Sequence, residues 1–502
     1  MSKRFIDYYL DAVTKKEGSG GGGGGTDTFL ERLAGTMTNY SNSEFTGKIA
    51  DRAFYGSPEL LDVDLPNATA IGEQAFVECP KYTAPSFPKV KVVGESAFSG
   101  SNILSFDFPE ADLFDTWAFQ GCNGLVNIDT QDVATIGEGA FQACSGLNNV
   151  VTKAEEFLNG AFRGCANLQS VDAANVHTIG ESAFQYCGSL VDVNASSATT
   201  IGKTAFENCS SLTDIAPIVE SATVIGSSAF KGCVGLSHVE LPSAHSIGPS
   251  SFFGCTNLIS VVAPLLTQLV GSDFSGSDTS LSMVDMPELI EAGASTFYGA
   301  TGLHSLSLPK LERVGANCFS KAGLIHVRST DFPMLTGLVD NTSTSSTGIF
   351  AQCASLEDVA LPNAEELGGS TFRSCSKLKT ADLPKLKTLY QETFSSCSAL
   401  TSINLGAVEE LKYRAIYYCS GLASIEFPAT LTMIAANAMQ SNSALTTLTF
   451  LSTNPPTLTG VLGVNKTSSL KIYVPDNSLN AYKTATNWSQ YATYMHPLSE
   501  RP

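Results

Sequence analysis

A phenylalanine, or an equivalent apolar anchor, returns about every 22 residues along most of this chain, and little else in the sequence constrains the fold as strongly. The series runs Phe54, Phe76, Phe98, Phe119, Phe141, Phe162, Phe184, Phe206, Phe230, Phe252, Phe274, Phe297, Phe319, Phe350, Phe372, Phe394, Ile416 and Met439. Successive steps are 21 to 24 residues, except for one of 31 between Phe319 and Phe350. One unit reads L-x-x-V-x-L-P-x-A-x-x-I-G-x-x-A-F-x-x-C-x-x, as from Leu236 to Leu258. A fixed period in the twenties marks a solenoid. A single coil cannot bury its apolar face, so each neighbour supplies the missing wall.

Within a unit, the alternation Val239-Glu240-Leu241 predicts a strand with Val and Leu inward, and Pro242 ends it because Pro cannot donate to a ladder. Ile-Gly, as in Ile71-Gly72 and Ile179-Gly180, predicts an inward side chain followed by a tight turn that Gly permits. The expected fold is a right-handed leucine-rich-repeat solenoid of about eighteen coils, each a β-strand plus a turn or short helical piece per ~22-residue repeat. The expected boundaries are a helical leader over 1–17, a polyglycine linker over 18–25, an N-terminal cap over 26–46, the solenoid over 47–450 with an insertion near 338–347, and a closing cap over 451–502.

Twelve of the thirteen cysteines stand three residues after an anchor, and only Cys318 is out of phase. A Cys at one fixed repeat position reads as a small buried hydrophobe, not as a disulfide framework or a metal ligand. No C-x-x-C, H-E-x-x-H or G-x-S-x-G is present, and the glycine run is followed by Thr26-Asp27 where a P-loop needs Gly-Lys-Ser/Thr. The six histidines give no metal spacing. The reading is therefore of no catalytic residues and no cofactor, with an enzyme ranked last. With 29 Lys+Arg against 48 Asp+Glu, the chain lacks the basic stripe that nucleic acid needs, and no run reaches the roughly 18 apolar residues of a membrane span.

The two outward positions flanking each strand's Val-type residue give 36 slots over eighteen coils. Asp62, Asp64, Asp107, Asp129, Asp172, Asp192, Asp214, Glu240, Asp285, Asp358, Asp382 and Glu426 fill twelve of them, where 48 acids in 502 residues predict between three and four. Only Arg328 is basic there. One account is a sheet face kept charged so that it stays soluble and unpaired. The other is a concave acidic groove that attracts a cationic partner or gathers Ca²⁺. The remaining face residues, such as Ser170 and Asn194, are short and polar, as a glycan- or protein-binding face would be. In the leader, Phe5, Tyr9 and Val13 share one face with Ile6 and Leu10 adjoining, too short a helix to be stable alone. That predicts a docking peptide tethered by the polyglycine.

The I-G-x-x-A-F-x-x-C-x-x-L units resemble the BspA-like leucine-rich repeat family over residues 47–450, and the tail Ile472-Tyr-Val-Pro…Trp488 resembles that family's terminal cap. The resemblance implies a non-enzymatic adhesion or recognition protein. The start, Met1 to Leu10, lacks a secretory apolar stretch, and the phrase Gly35-Thr-Met-Thr-Asn-Tyr-Ser-Asn42 is similar to phage and prophage reading frames of gut bacteria. The expectation is a virion accessory (fibre, tail or capsid-attached) assembled in the host cytoplasm. It would be held on a virion structural protein by residues 1–17 and bind a bacterial-surface or mucosal glycan ligand through the solenoid. The alternative is a bacterial cell-surface adhesin binding host or partner-cell proteins.

Overall fold

The computed structural model describes residues 37–130, 132–276, 280–338 and 348–502. The leader with Phe5, Ile6, Tyr9, Leu10 and Val13, the polyglycine linker, and residues 339–347 of the insertion lie outside them. The chain divides into two compact units, Met1–Ala244 and His245–Pro502.

In the first unit the face strands Asn39–Ser41 and Asp62–Asp64 pair in parallel, and Asn127–Thr130, Asn149–Thr152, Ser170–Asp172 and Asp192–Asn194 form a second parallel ladder. In this unit the coils also carry a second strand, mostly of two residues, that the sequence reading does not anticipate. Nine of these, from Gly47–Ile49 to Val224–Ile225, pair in one continuous parallel series. Of the turn or short helical piece expected in each coil, it is the turn that almost every described coil carries. Among the described residues only Ala216–Val219 forms a helix within the repeats. The wall carrying the anchor is instead a run of turns. Arg52, Phe54 and Gly56 donate N–H bonds to Glu73, Ala75 and Val77 of the next coil, at 2.8, 2.8 and 2.9 Å. Ala53 and Tyr55 close turns within their own coil. This alternation requires left-handed backbone two residues before and two after each anchor, as at Ser182 (φ 58°) and Tyr186 (φ 65°) around Phe184.

The second unit repeats the scheme. Its face strands include His326–Arg328, Asp358–Ala360, Thr380–Asp382 and Ser402–Asn404, then Ser424–Phe427, Thr447–Phe450, Lys471–Val474 and Met495–Pro497, all parallel. The ladder therefore runs past residue 450, where the Phe-x-x-Cys phrase stops, giving a solenoid of about twenty turns. Leu462 takes the anchor's place, accepting the Met439 N–H at 3.1 Å. Its own N–H has no further coil to donate to and meets the Tyr491 hydroxyl at 2.9 Å. Tyr482 and Trp488 likewise donate to the carbonyls of Ser452 and Pro456.

The anchors stack as one column in each unit. From Phe54 to Phe230 successive ring centroids lie 5.0 to 5.5 Å apart and near parallel. From Phe252 to Phe394 they lie 5.3 to 5.8 Å apart. The phased cysteines are free and buried, but they do more than fill space. Cys187 donates its thiol to the carbonyl of Phe162, the preceding coil's anchor, at 3.2 Å, and ten others repeat the contact, from Cys79 to Cys419. Where Cys is missing, another donor serves: Ser101 to Phe76 at 2.5 Å and Asn442 to Ile416 at 2.9 Å. Burial pushes the Cys187 thiol up to about 12, so it stays protonated and unreactive.

The Ile-Gly glycine needs a different explanation from the one the sequence suggests. Gly180 and Gly202 are not left-handed. A Cβ on Gly180 would lie 2.7 Å from the Phe157 carbonyl oxygen and 2.8 Å from the Leu158 carbonyl carbon, so coil-to-coil approach excludes the side chain.

Candidate recognition face

Within each ladder the outward strand residues stand at two registered positions, the first and the third of each strand. Asp62, Asp192 and Asp358 fall in the first, and Asp64, Asp129, Asp172, Asp285, Asp382 and Glu426 in the second. Glu240 ends the strand His238–Glu240. Two of the twelve depart from a strand. Asp107 makes only an isolated bridge with Ser86, and Asp214 precedes the helix Ala216–Val219, accepting the Ala216 N–H at 2.8 Å.

The twelve do not form a continuous acidic groove. No described register pair joins two carboxylates, since like charges directly opposite on a sheet repel. The residue one coil away is usually a short hydrogen-bond donor. Ser41 donates to Asp64 at 3.1 Å, Ser86 to Asp107 at 3.1 Å, Asn194 to Asp172 at 2.8 Å and Asn404 to Asp382 at 2.6 Å. Asp358 is held by Arg328, through Nε at 2.7 Å and Nη2 at 3.0 Å, and by His326 Nδ1 at 2.5 Å. That guanidinium keeps its carboxyl below the usual carboxylate range. Arg501 reaches Glu426 from the C-terminal segment. Asp62, Asp129, Asp192, Glu240 and Asp285 have no side-chain partner among the described residues. No group of three His, Cys, Asp or Glu side chains among the described residues converges as a metal cage would require.

Elsewhere, charge is neutralised by the same one-coil spacing. Lys203 pairs with Glu181 at 2.9 Å, Lys379 with Glu357 at 2.8 Å and Lys387 with Glu365 at 3.2 Å. The face that remains is mildly acidic and lined with hydroxyl and amide groups. Sequence reasoning found its acids but not their partners, which sit about 22 residues away. Among the described residues no helix is long and apolar enough to cross a membrane.

The family model described as BspA type leucine rich repeat region (6 copies) matches residues 47–156, 152–259, 223–333 and 343–456. The chain belongs to the BspA-type leucine-rich repeat family. Proteins of this family are in general surface, adhesion or recognition proteins, and theirs is not a catalytic family. Among solved structures, a leucine-rich repeat protein from Bacteroides ovatus is 23% identical, with 74% of this chain and 92% of that chain covered and a TM-score of 0.57. A leucine rich cell surface protein from Faecalibacterium prausnitzii is 18% identical over 82% of this chain and 87% of that one, with a TM-score of 0.24. Only the first superposition bears on the fold, which it shares. No curated protein matches the BspA-type sequence described here.

Proposed function

We propose that this BspA-type solenoid is a non-catalytic adhesion protein of a phage particle, attached through its N-terminal segment and binding a bacterial-surface or mucosal glycan on its strand face. The observation that carries the binding role is the face itself. Its short polar side chains are held at two registered positions of each strand by hydrogen bonds one coil apart, so little side-chain entropy is lost when a ligand docks. The virion placement rests on the resemblance of Gly35–Asn42 to phage and prophage reading frames. The test is retention of the full chain on arrays of mucin glycans and bacterial envelope fractions. Asp172→Asn and Asp192→Asn together should weaken capture several-fold, because each loses a charged acceptor for sugar hydroxyls. Unchanged capture would show that the strand face is not the binding surface.

A further inference from the structure

The turn wall of the second unit carries one cluster unlike its neighbours. Two residues after each anchor the backbone is left-handed, and small residues such as Gly254, Gly299, Ser374 and Ser396 commonly stand there. In the coil of Ile416 that position holds Tyr418, at φ 57°. Two residues before the same anchor, Arg414 is left-handed at φ 53°, where Ser370 and Asn437 serve other coils. Large side chains are uncommon on such backbone, and strain of this kind gathers at functional sites. Tyr186 is another aromatic two residues after its anchor, but only the coil of Ile416 adds two further tyrosines, Tyr413 and Tyr417, around a cation.

Arg414 is fixed from three sides. Its guanidinium carbon lies 4.9 Å from the ring centroid of Tyr413 and 4.7 Å from that of Tyr417, and its Nε donates to Gln440 Oε1 of the next coil at 3.2 Å. Its two Nη groups donate to no acceptor among the described residues. The neighbouring acids are engaged elsewhere: Glu392 of the preceding coil faces Arg373 at 3.7 Å, and Glu410 pairs with Lys412. On the other side, residues 427–465 carry no charged side chain. A chain of net charge −19 thus presents an unopposed cation here. The rings around it are open: Tyr413 is 39% exposed and Tyr418 55%, and the Tyr418 ring centroid lies 6.1 Å from that of Tyr417.

We propose that Arg414 and its tyrosines bind an acidic sugar, a hydroxylated ring that bears a carboxylate. This rests on the glycan reading above and adds a second contact, on the turn wall, to the one on the strand face. The planar fork of a guanidinium matches a carboxylate, and stacking on Tyr413 and Tyr417 holds that fork in place before any ligand arrives. A tyrosine offers an apolar ring face to the C–H side of a sugar and a hydroxyl to its O–H groups. A neutral sugar leaves the guanidinium unpaired. An acidic peptide meets the charge but brings no saturated ring to lie on the tyrosines, and a small inorganic anion gains nothing from them. A cationic ligand is repelled.

The test is calorimetric titration of the full chain with 3′-sialyllactose, with lactose, which lacks the carboxylated ring, and with an N-acetylated tetraglutamate amide. The sialoside should bind in the millimolar range or tighter, and lactose and the peptide at least tenfold more weakly. Arg414→Ser, which brings in the residue another coil carries at Ser370, should abolish binding. Arg414→Lys keeps the charge without the fork and should weaken it at least fivefold. Tyr418→Ser, matching Ser396 and Ser441 of the adjacent coils, should weaken it at least threefold with little change in melting temperature. No binding of the sialoside, equal binding of lactose or of the peptide, or undiminished binding by the Arg414→Lys and Tyr418→Ser variants overturns the proposal. The Asp172→Asn/Asp192→Asn variant should bind the sialoside as the unaltered chain does, so failure of this site and failure of the strand-face reading appear in different variants.

Discussion

Asp273 sits where nine of the first coils carry alanine directly before the anchor, and it is fully buried. Other polar residues in this column satisfy themselves locally: Thr296 donates to the Gly293 carbonyl at 2.8 Å and Thr393 to that of Tyr390 at 2.9 Å. A carboxylate cannot donate. One oxygen of Asp273 accepts the Gly271 N–H at 2.9 Å, and the other has no partner. Burial pushes its carboxyl up to about 7, against the backbone donors of Gly271 and Ser251; the other titratable group facing it, Cys318, is itself held protonated by burial. The folded pKa is thus raised above the unfolded value near 4, so the folded state binds more protons between the two. Stability is full below pH 4, falls as pH rises to about 7, and is level above. A three-unit difference corresponds to about 4 kcal/mol at most. The assay is urea denaturation between pH 4 and 8, read as the difference between wild type and variant so that all other groups cancel. Asp273→Ala should be close to wild type at pH 4, within about 1 kcal/mol for the lost hydrogen bond. At pH 8 it should be more stable by several kcal/mol, and Asp273→Asn should also lose the slope. A difference between wild type and Asp273→Ala that does not vary with pH would refute the reasoning.

Three further substitutions probe the coil-to-coil contacts, each by denaturation. Cys187→Ser keeps a donor for the Phe162 carbonyl, as Ser101 does for Phe76, and should cost less than about 1 kcal/mol. Cys187→Ala removes one of the two bonds that carbonyl accepts, the other coming from the Cys165 N–H at 3.1 Å, and leaves a void where the sulfur sat, so it should cost about 1–3 kcal/mol. Ala143→Gly should stabilise by about 0.5–1 kcal/mol, because Ala143 is left-handed (φ 59°) and exposed in a column where Gly121 and Gly164 stand in adjacent coils. Gly180→Ala should cost about 1–3 kcal/mol, since its Cβ meets backbone that side-chain rotation cannot move.

The sequence carried the stack because its signals repeat. Eighteen phased anchors and a strand alternation such as Val239-Glu240-Leu241 need only a period to be read. The second strand was not legible, since Thr178–Ile179 or Val92–Val93 is too short to alternate. The left-handed positions were hidden because Ser182, Tyr186 and Lys321 occupy them as well as glycines. Past Phe450 the strand at Lys471–Val474 stayed legible while the coil phrase did not, because Leu462 takes the anchor's place and the backbone ladder continues without the phrase. On the candidate face, the acids were legible as an excess at outward positions. Their donors were not, because Asn194 belongs to Asp172 only once coils are stacked in register.

The most direct measurement of strand-face recognition is carboxylate footprinting of the full chain by carbodiimide labelling, with and without a mucin or envelope fraction that it captures. Protection of Asp172, Asp192 and Asp129, with labelling unchanged at Glu181 and Glu365 beside the turns, is the predicted result. Protection confined to carboxylates of the turn walls, with the strand-face aspartates labelled as in the free protein, would contradict it.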